Sequence, residues 1–367
     1  MKKTVFFLVL VFFFLLAFPV SATSSLYDEE QFEVTVPKEI EEYLPRDFLE
    51  AGVDDLYRTL DFNFFSEVGV KLIAAAVPKA TANFAKMLGL LLAAACLGAL
   101  KESFSSAALK SVISLINMLC VAGAVFTVTE TAFSLAETFI SSLSAFMSVL
   151  LPVMTALMIA GGQVTTAAVM TGVVSTALSV LESITAGTLF PLVRICLCLS
   201  AVSSVFGTVG IGNIVPMLRR IVSYVFGFVT LCLSAVLTFQ SIITRSADSL
   251  AMRGIKFAVG SFVPFVGGAV NEALSTVMGG VGLIRASTGI VGAVAVCILA
   301  ALPIIQILLQ KMFLELLVIC TSLLRLDGEG KLIAEMASFF GYMAAIMAIS
   351  AVFFILALSM MAKLGMG

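Results

Sequence analysis

Apolar residues run along this chain in long blocks, at roughly 84–100, 109–129, 143–160, 164–181, 186–206, 221–243, 255–271, 281–298, 299–324 and 336–361. Several approach the roughly 20 residues that an α-helix needs to cross a bilayer. The short alternating strands of a membrane β-barrel are not the pattern. The blocks predict an all-α, polytopic membrane helical bundle with about seven to nine crossings, since not every block need span. One block resists a straight helix. In "KFAVGSFVPFVGGAVNEALSTVMGG", residues 256–280, Pro264 sits mid-run, Gly267 and Gly268 follow, and Asn271 and Glu272 close it. Proline removes a helix hydrogen bond and glycine loosens the backbone. Such a break is tolerated at bilayer depth where protein or a water-filled cavity satisfies the freed carbonyls. The stretch reads as a broken or re-entrant segment, with a proline-kinked helix as the alternative.

The prolines recur. Pro152 and Pro264 are 112 residues apart, as are Pro191 and Pro303, and Ser175-Thr176 stands at the same offset from Ser287-Thr288. Upstream, "LKSVIS" from Leu109 resembles "LRRIVS" from Leu218, and "VFGF" at 225–228 resembles "FFGY" at 339–342. These matches predict a duplication of about 110 residues, with repeats 109–217 and 218–330 and the start of a third copy. Four crossings per unit would make the copies parallel, whereas a re-entrant segment would make them inverted.

The two ends are different material. Residues 1–22 have the form of a signal peptide: Lys2 and Lys3, an apolar core from Val5 to Leu16, and a small-residue site at Val20-Ser21-Ala22. Residues 23–67 carry thirteen Asp and Glu against three Lys and Arg, a net of −10, whereas 68–367 carries sixteen basic and ten acidic residues, a net of +6. The acidic piece is expected outside the membrane and 68–367 to form the helical membrane domain. Phe48, Leu49, Val53, Leu56 and Leu60 make a rough helical stripe within the piece, either a partner-binding face or a small cap. With the first block running inward, Lys101, Lys110, Arg219, Arg220, Arg325 and Lys331 fall inside. Glu130 and Glu137 then fall in an outside loop. Arg245, Arg253 and Lys256 also land outside, against the positive-inside rule.

Overall composition agrees with the membrane class: 60% of the 367 residues are hydrophobic, 12% are charged, and the mean hydropathy is +1.14. A soluble core could not hide that much apolar surface. No histidine is present, which excludes a Ser-His-Asp triad, a Cys-His pair and an H-E-x-x-H zinc site. No phosphate-binding G-x-x-x-x-G-K-[ST] loop is present either, so any nucleotide-driven work belongs to a partner. The seven cysteines all lie in apolar blocks and read as single buried thiols. No catalytic, cofactor-binding or metal-binding residue and no nucleic-acid partner is assigned.

Charges at bilayer depth are costly and mark places to look. Arg194 lies within 186–206, with Glu182 as its candidate mate. Glu272 and Arg285 flank a glycine-rich run, Arg245 and Asp248 are three apart, and Lys311 and Glu315 are four apart on one helix. Together with Pro152, Pro264, Gly267 and Gly268, they are candidate conduit residues, or structural ion pairs and snorkelling side chains. Small residues are dense at 161–188 and 260–294, which favours close helix approach and can serve contacts in a homo-oligomer.

The signal, the acidic leader, "LLPVMTALMIAGGQVTTAAVM", "FQSIITRSADSLAMRGIKFAVGSFVPFVGGAVNEALSTVMGG" and the closing "LLRLDGEGKLIAEMASFFGYMAAI" together resemble the stage III sporulation protein AE family. The resemblance implies a multi-pass subunit in the mother-cell membrane around an engulfed forespore. Its implied partners are the other membrane and ring-forming proteins of the assembly, a secretion-type ATPase and the lipid bilayer. The implied role is a channel between the two cells, needed for late forespore gene expression. An independent secondary transporter and a non-conducting scaffold remain the alternatives.

Overall fold

A computed structural model gives the fold, describing Leu60, residues 62–206 and 267–363, and single positions between 217 and 253. The described chain is all helical: α1 (Phe62–Glu102), α2 (Ala107–Ala160), α3 (Val164–Ile184), a π-helical turn (Thr185–Leu189), α4 (Phe190–Phe206), α5 (Gly267–Leu323) and α6 (Asp327–Lys363). Five stretches among the described residues are long and apolar enough to cross a membrane: Asn63–Lys101, Ala107–Ala160, Val164–Ser200, Thr276–Leu323 and Asp327–Ala362. The signal segment, nearly all of the acidic segment, Pro264, Arg245 and Asp248 lie outside the described residues.

Three boundaries suggested by hydropathy are absent. Blocks 109–129 and 143–160 form the single 54-residue helix α2, about 80 Å long at 1.5 Å per residue. Blocks 164–181 and 186–206 run on through the π turn, and 281–298 and 299–324 are both α5. Glu130 and Glu137, expected in a loop, therefore stand mid-helix. The helix continues because a glutamate is a good helix former that interrupts apolarity without interrupting the backbone. α5 likewise runs through Asn271 and Glu272 without stopping. At the other end of the membrane domain, α1 begins at Phe62, so the boundary drawn at residue 67 falls inside a helix.

Where the chain does turn, local chemistry explains it. Ser106 caps α2, its Oγ accepting from the Leu109 N–H at 3.5 Å. After α2, Gly162 takes a left-handed φ of 78°, while Gln163 N–H donates to Met158 O and Gly162 N–H to Ile159 O. That pair of bonds is a Schellman cap, the arrangement for which glycine is best suited. The same cap ends α5, with Leu326 N–H donating to Thr321 O and Arg325 N–H to Ser322 O. There the left-handed position, φ 58°, is held by Arg325.

Small residues set the packing at the centre. A Cβ on Gly292 would meet Leu150 Cδ2 at 2.6 Å and Leu358 Cδ1 at 3.4 Å, and one on Gly289 would collide with Ala362. Further along, Gly341 sits beside Lys311 and Gly330 beside Thr321. These pairs make α5 and α6 an antiparallel hairpin. α2 runs antiparallel to α5 (Gly161 near Val281, Gly292 near Leu150) and parallel to α6 (Met118 near Gly328, Thr129 hydroxyl to Met336 sulfur). α1 joins through a tilted Phe84–Phe313 ring contact and the Asn117 side-chain amide, which donates to Ala94 O at 2.7 Å. The α5–α6 hairpin is the core. More than half of its most apolar stretches are buried, against 17% for α1.

Candidate functional site

Four polar contacts lie along the line where α2 meets α3 and α4. Thr155 and Thr171 hydroxyls share a hydrogen bond of 2.5 Å. Ser144 Oγ donates to Glu182 Oε2 at 3.0 Å. Arg194 Nη2 stands 3.2 Å from Glu137 Oε1 and 3.6 Å from Glu130 Oε2, and its guanidinium lies over the Phe133 ring, 5.0 Å from the centroid. All four α2 partners fall on one face, because steps of 7, 7 and 11 residues each bring a helix back to within about 20°. From Glu130 to Thr155 the seam is about 38 Å long at 1.5 Å per residue, more than the ~30 Å hydrocarbon core.

The facing side needs a correction to keep register. Thr171 and Glu182 are 11 apart and share a face, but Arg194 is 12 further on, which in a regular helix points about 120° away. The π turn supplies the difference. Phe190 N–H reaches back to Thr185 O, the five-residue bond of a π-helix, which absorbs one extra residue. Its cause is next door: Pro191 has no N–H to donate and crowds the carbonyl one turn back. Deleting Gly187 is therefore expected to be tolerated, converting the π turn to regular helix with Arg194 still in the seam. Deleting Ala177 moves the side chains between it and the π turn, Leu181 and Glu182 among them, by about 100° and should abolish membrane accumulation. Immunoblots of the membrane fraction check both.

Arg194 is thus clamped between Glu130 and Glu137, not paired with Glu182. On one continuous helix Glu182 and Arg194 are about 18 Å apart along the axis, too far to meet. The mates were visible as a pattern: Glu130, Phe133 and Glu137 share a face at steps of three and four. Of the other charged candidates, Lys311 and Glu315 pair at 2.7 Å, and Arg285, 1% exposed, donates from Nη1 to Gln163 Oε1 at 2.7 Å, tying α5 to the α2–α3 turn. Pro152 faces outward within α2. Gly267 and Gly268 form the start of α5 and Glu272 lies in its helical backbone.

α3 is two-faced. Met170, Val174, Ala177 and Leu181 are buried, whereas Gly172, Ser175, Thr176, Ser179 and Glu182 face outward. Thr176 and Ser179 each donate to a carbonyl one turn back, which satisfies the donors and leaves oxygen lone pairs free to accept from water. The cysteines divide as well. Cys196 and Cys297 are buried and Cys320 is half-buried, but Cys96, Cys120, Cys198 and Cys232 face outward, so burial is not common to all seven. No group of side chains among the described residues is arranged to hold a metal ion.

A family model described as Stage III sporulation protein AE matches residues 53–365. The curated Stage III sporulation protein AE of Bacillus subtilis (strain 168) is 26% identical over 159 residues, an alignment that covers 43% of this chain and 40% of that protein. The matched region is thus under half the length of that relative. No solved structure matches.

Proposed function

The chain belongs to the stage III sporulation protein AE family, and from that membership we propose that it is a membrane subunit of the sporulation stage III apparatus linking mother cell and forespore. In this reading it sits in the mother-cell membrane, takes part in a channel or export path needed for late forespore gene expression, and is energised by a partner ATPase alongside ring-forming proteins. Residues 23–67 lie on the extracytoplasmic side. Because α3–α4 and α5 both run antiparallel to α2, the chain between them crosses an odd number of times. One crossing within 221–271 gives six in all, and three would be needed for eight, within the seven to nine that hydropathy suggests. The proline spacing reflects a tandem duplication whose copies have diverged. Residues 161–163 form a turn where 273–275 continue a helix, and a π turn precedes Pro191 where regular helix precedes Pro303. Several copies acting together, with α3 facing a shared interior, fit the outward hydroxyls of that helix.

The observation that carries the conduit reading is the seam. Polar contacts recur along about 38 Å of a predominantly apolar helix pair, and a helix pair held by packing alone has no need of them. One observation favours a non-conducting scaffold instead: the seam's charges are already paired with each other, as a structural clamp would have them.

Cysteine accessibility separates the two. In a chain whose seven native cysteines are replaced, single cysteines at Ser144, Ser148, Ser175 and Ser179 are challenged in sporulating cells with membrane-impermeant thiol reagents from each face. The conduit predicts labelling at mid-seam in variants that still sporulate. Protection of all four, with control sites in a soluble tail labelled, would move the assignment to the scaffold.

A further inference from the structure

The two helical hairpins are out of step at one end. Met118 of α2 lies against Gly328 in the first turn of α6, so the first ten or so residues of α2 and the end of α1 project past the α5–α6 turn. The step leaves a cavity of about 1030 Å³. Its polar wall is unusual for a bundle this apolar: Lys101 from α1, Ser111 and Ser114 from α2, and Arg325, Asp327 and Glu329 from the α5–α6 turn. Glu329 is 8% exposed, and no hydrogen bond or ion pair engages its carboxylate among the described residues. Its side chain lines the cavity from the first turn of α6, and with no protein cation on it the carboxylate is the acceptor there that a cationic ligand would engage.

The cavity also has cations of its own that a simple basic ligand would not want. Lys101 and Arg325 line it too, and Arg325 occupies the left-handed cap position where glycine would be unstrained. Opposite charges on one wall call for a zwitterion. The setting calls for an amphiphile. Lys101, Lys110, Arg325 and Lys331 bracket the two turns, as basic residues do where helices leave a bilayer. Leu100, Val112 and Leu115 beside the cavity are 58%, 51% and 40% exposed, giving acyl chains a surface to lie on.

We propose that this cavity seats the headgroup of a phospholipid bearing a primary ammonium. The phosphate meets Lys101 and Arg325, the ammonium donates to Glu329, and the chains run along the α1–α2 hairpin. A primary ammonium donates charge-assisted hydrogen bonds that a quaternary one cannot, so phosphatidylethanolamine is selected over phosphatidylcholine, and the acidic wall disfavours phosphatidylglycerol.

Native mass spectrometry of the full chain, released from detergent with each lipid in turn, tests this. Retention of phosphatidylethanolamine should exceed that of the other two by about tenfold or more, the scale of one charge-assisted bond. Glu329→Gln should erase the discrimination with no fall in the thermal unfolding midpoint. Arg325→Gly, which relaxes the cap, should raise that midpoint yet weaken retention of both phosphatidylethanolamine and phosphatidylcholine. Equal retention of the three lipids by the unmodified chain would overturn the proposal whether or not any variant folds. So would discrimination that survives Glu329→Gln. Glycerophosphoethanolamine, the headgroup without chains, is the last arm. If it displaces the lipid at matched concentration, the site serves a soluble zwitterion and the lipid assignment fails.

Discussion

A Gly289→Val chain will fail to accumulate in the membrane. Gly289 packs directly on α6: any Cβ there collides with the Cβ of Ala362, with Ala362 Cα at 3.5 Å and Met154 Cε at 3.7 Å. Ala362 is itself buried, and its methyl has no rotamer through which to retreat. Overpacking a core usually costs about 1–3 kcal/mol. Here the obstruction is one atom from the backbone of each helix, so relief requires separating α5 from α6, and the loss should reach the top of that range or beyond. Gly292→Ala is a milder companion, because the Leu150 Cδ2 it meets at 2.6 Å is the end of a flexible side chain. The pairing argument is checked by exchange. Gly289→Ala alone should lower the unfolding midpoint in detergent, and adding Ala362→Gly should recover most of it. If the exchange recovers nothing, the close approach is not what holds the hairpin.

That hairpin was only half legible in the sequence. The glycine-dense stretch 260–294 announced close helix approach, but nothing local could say that Gly289 and Gly292 meet Ala362 and Leu358 across a reversal at 324–326. Hydropathy found where the apolar material is and misjudged where the backbone turns. Its windows dip at Glu130 and Glu137, and a dip is what a loop produces too. The better signal was the spacing, since two glutamates and a phenylalanine at steps of three and four are a helix face. True turns were written in other letters: Gly161-Gly162 after α2 and a serine cap before it. The turn after α5 was harder, because its left-handed residue is an arginine. Proline alone did not mark a break, because its consequence depended on context. Pro78, Pro152 and Pro303 lie inside α-helices, while a π turn precedes Pro191.

The site was legible in its members more than in its pairings. Arg194 and Glu182 both stand in the seam, in separate contacts about 18 Å apart, because the chain between them is helix and not a returning loop. Knowing that a buried cation needs a mate does not say which acid is near, and the acids that serve come from a segment placed on another level by its hydropathy.

Reversing Arg194 tests what the seam is for. Arg194→Glu sets three carboxylates where one guanidinium held two, and like charges at such range repel strongly once water is scarce. The three side chains are each about 40% exposed on the described surface, so the cost lies between that of a solvated pair, about 0–1 kcal/mol, and that of a broken buried pair, about 3–5 kcal/mol. A loss of about 2–4 kcal/mol and reduced membrane accumulation are expected. Arg194→Lys keeps the charge but loses the planar fork that reaches two carboxylates at once, and should fall between. The decisive chain is the exchange Arg194→Glu with Glu137→Arg, which restores one contact with its polarity inverted. Accumulation should return in either reading. Sporulation should return with it if the seam is a clamp, since a clamp is indifferent to which helix carries which sign. A conduit is not indifferent: moving the cation from α4 to α2 inverts the field met along the path. Full accumulation with sporulation still impaired would therefore place the charges on the route, and recovery of both would place them in the frame.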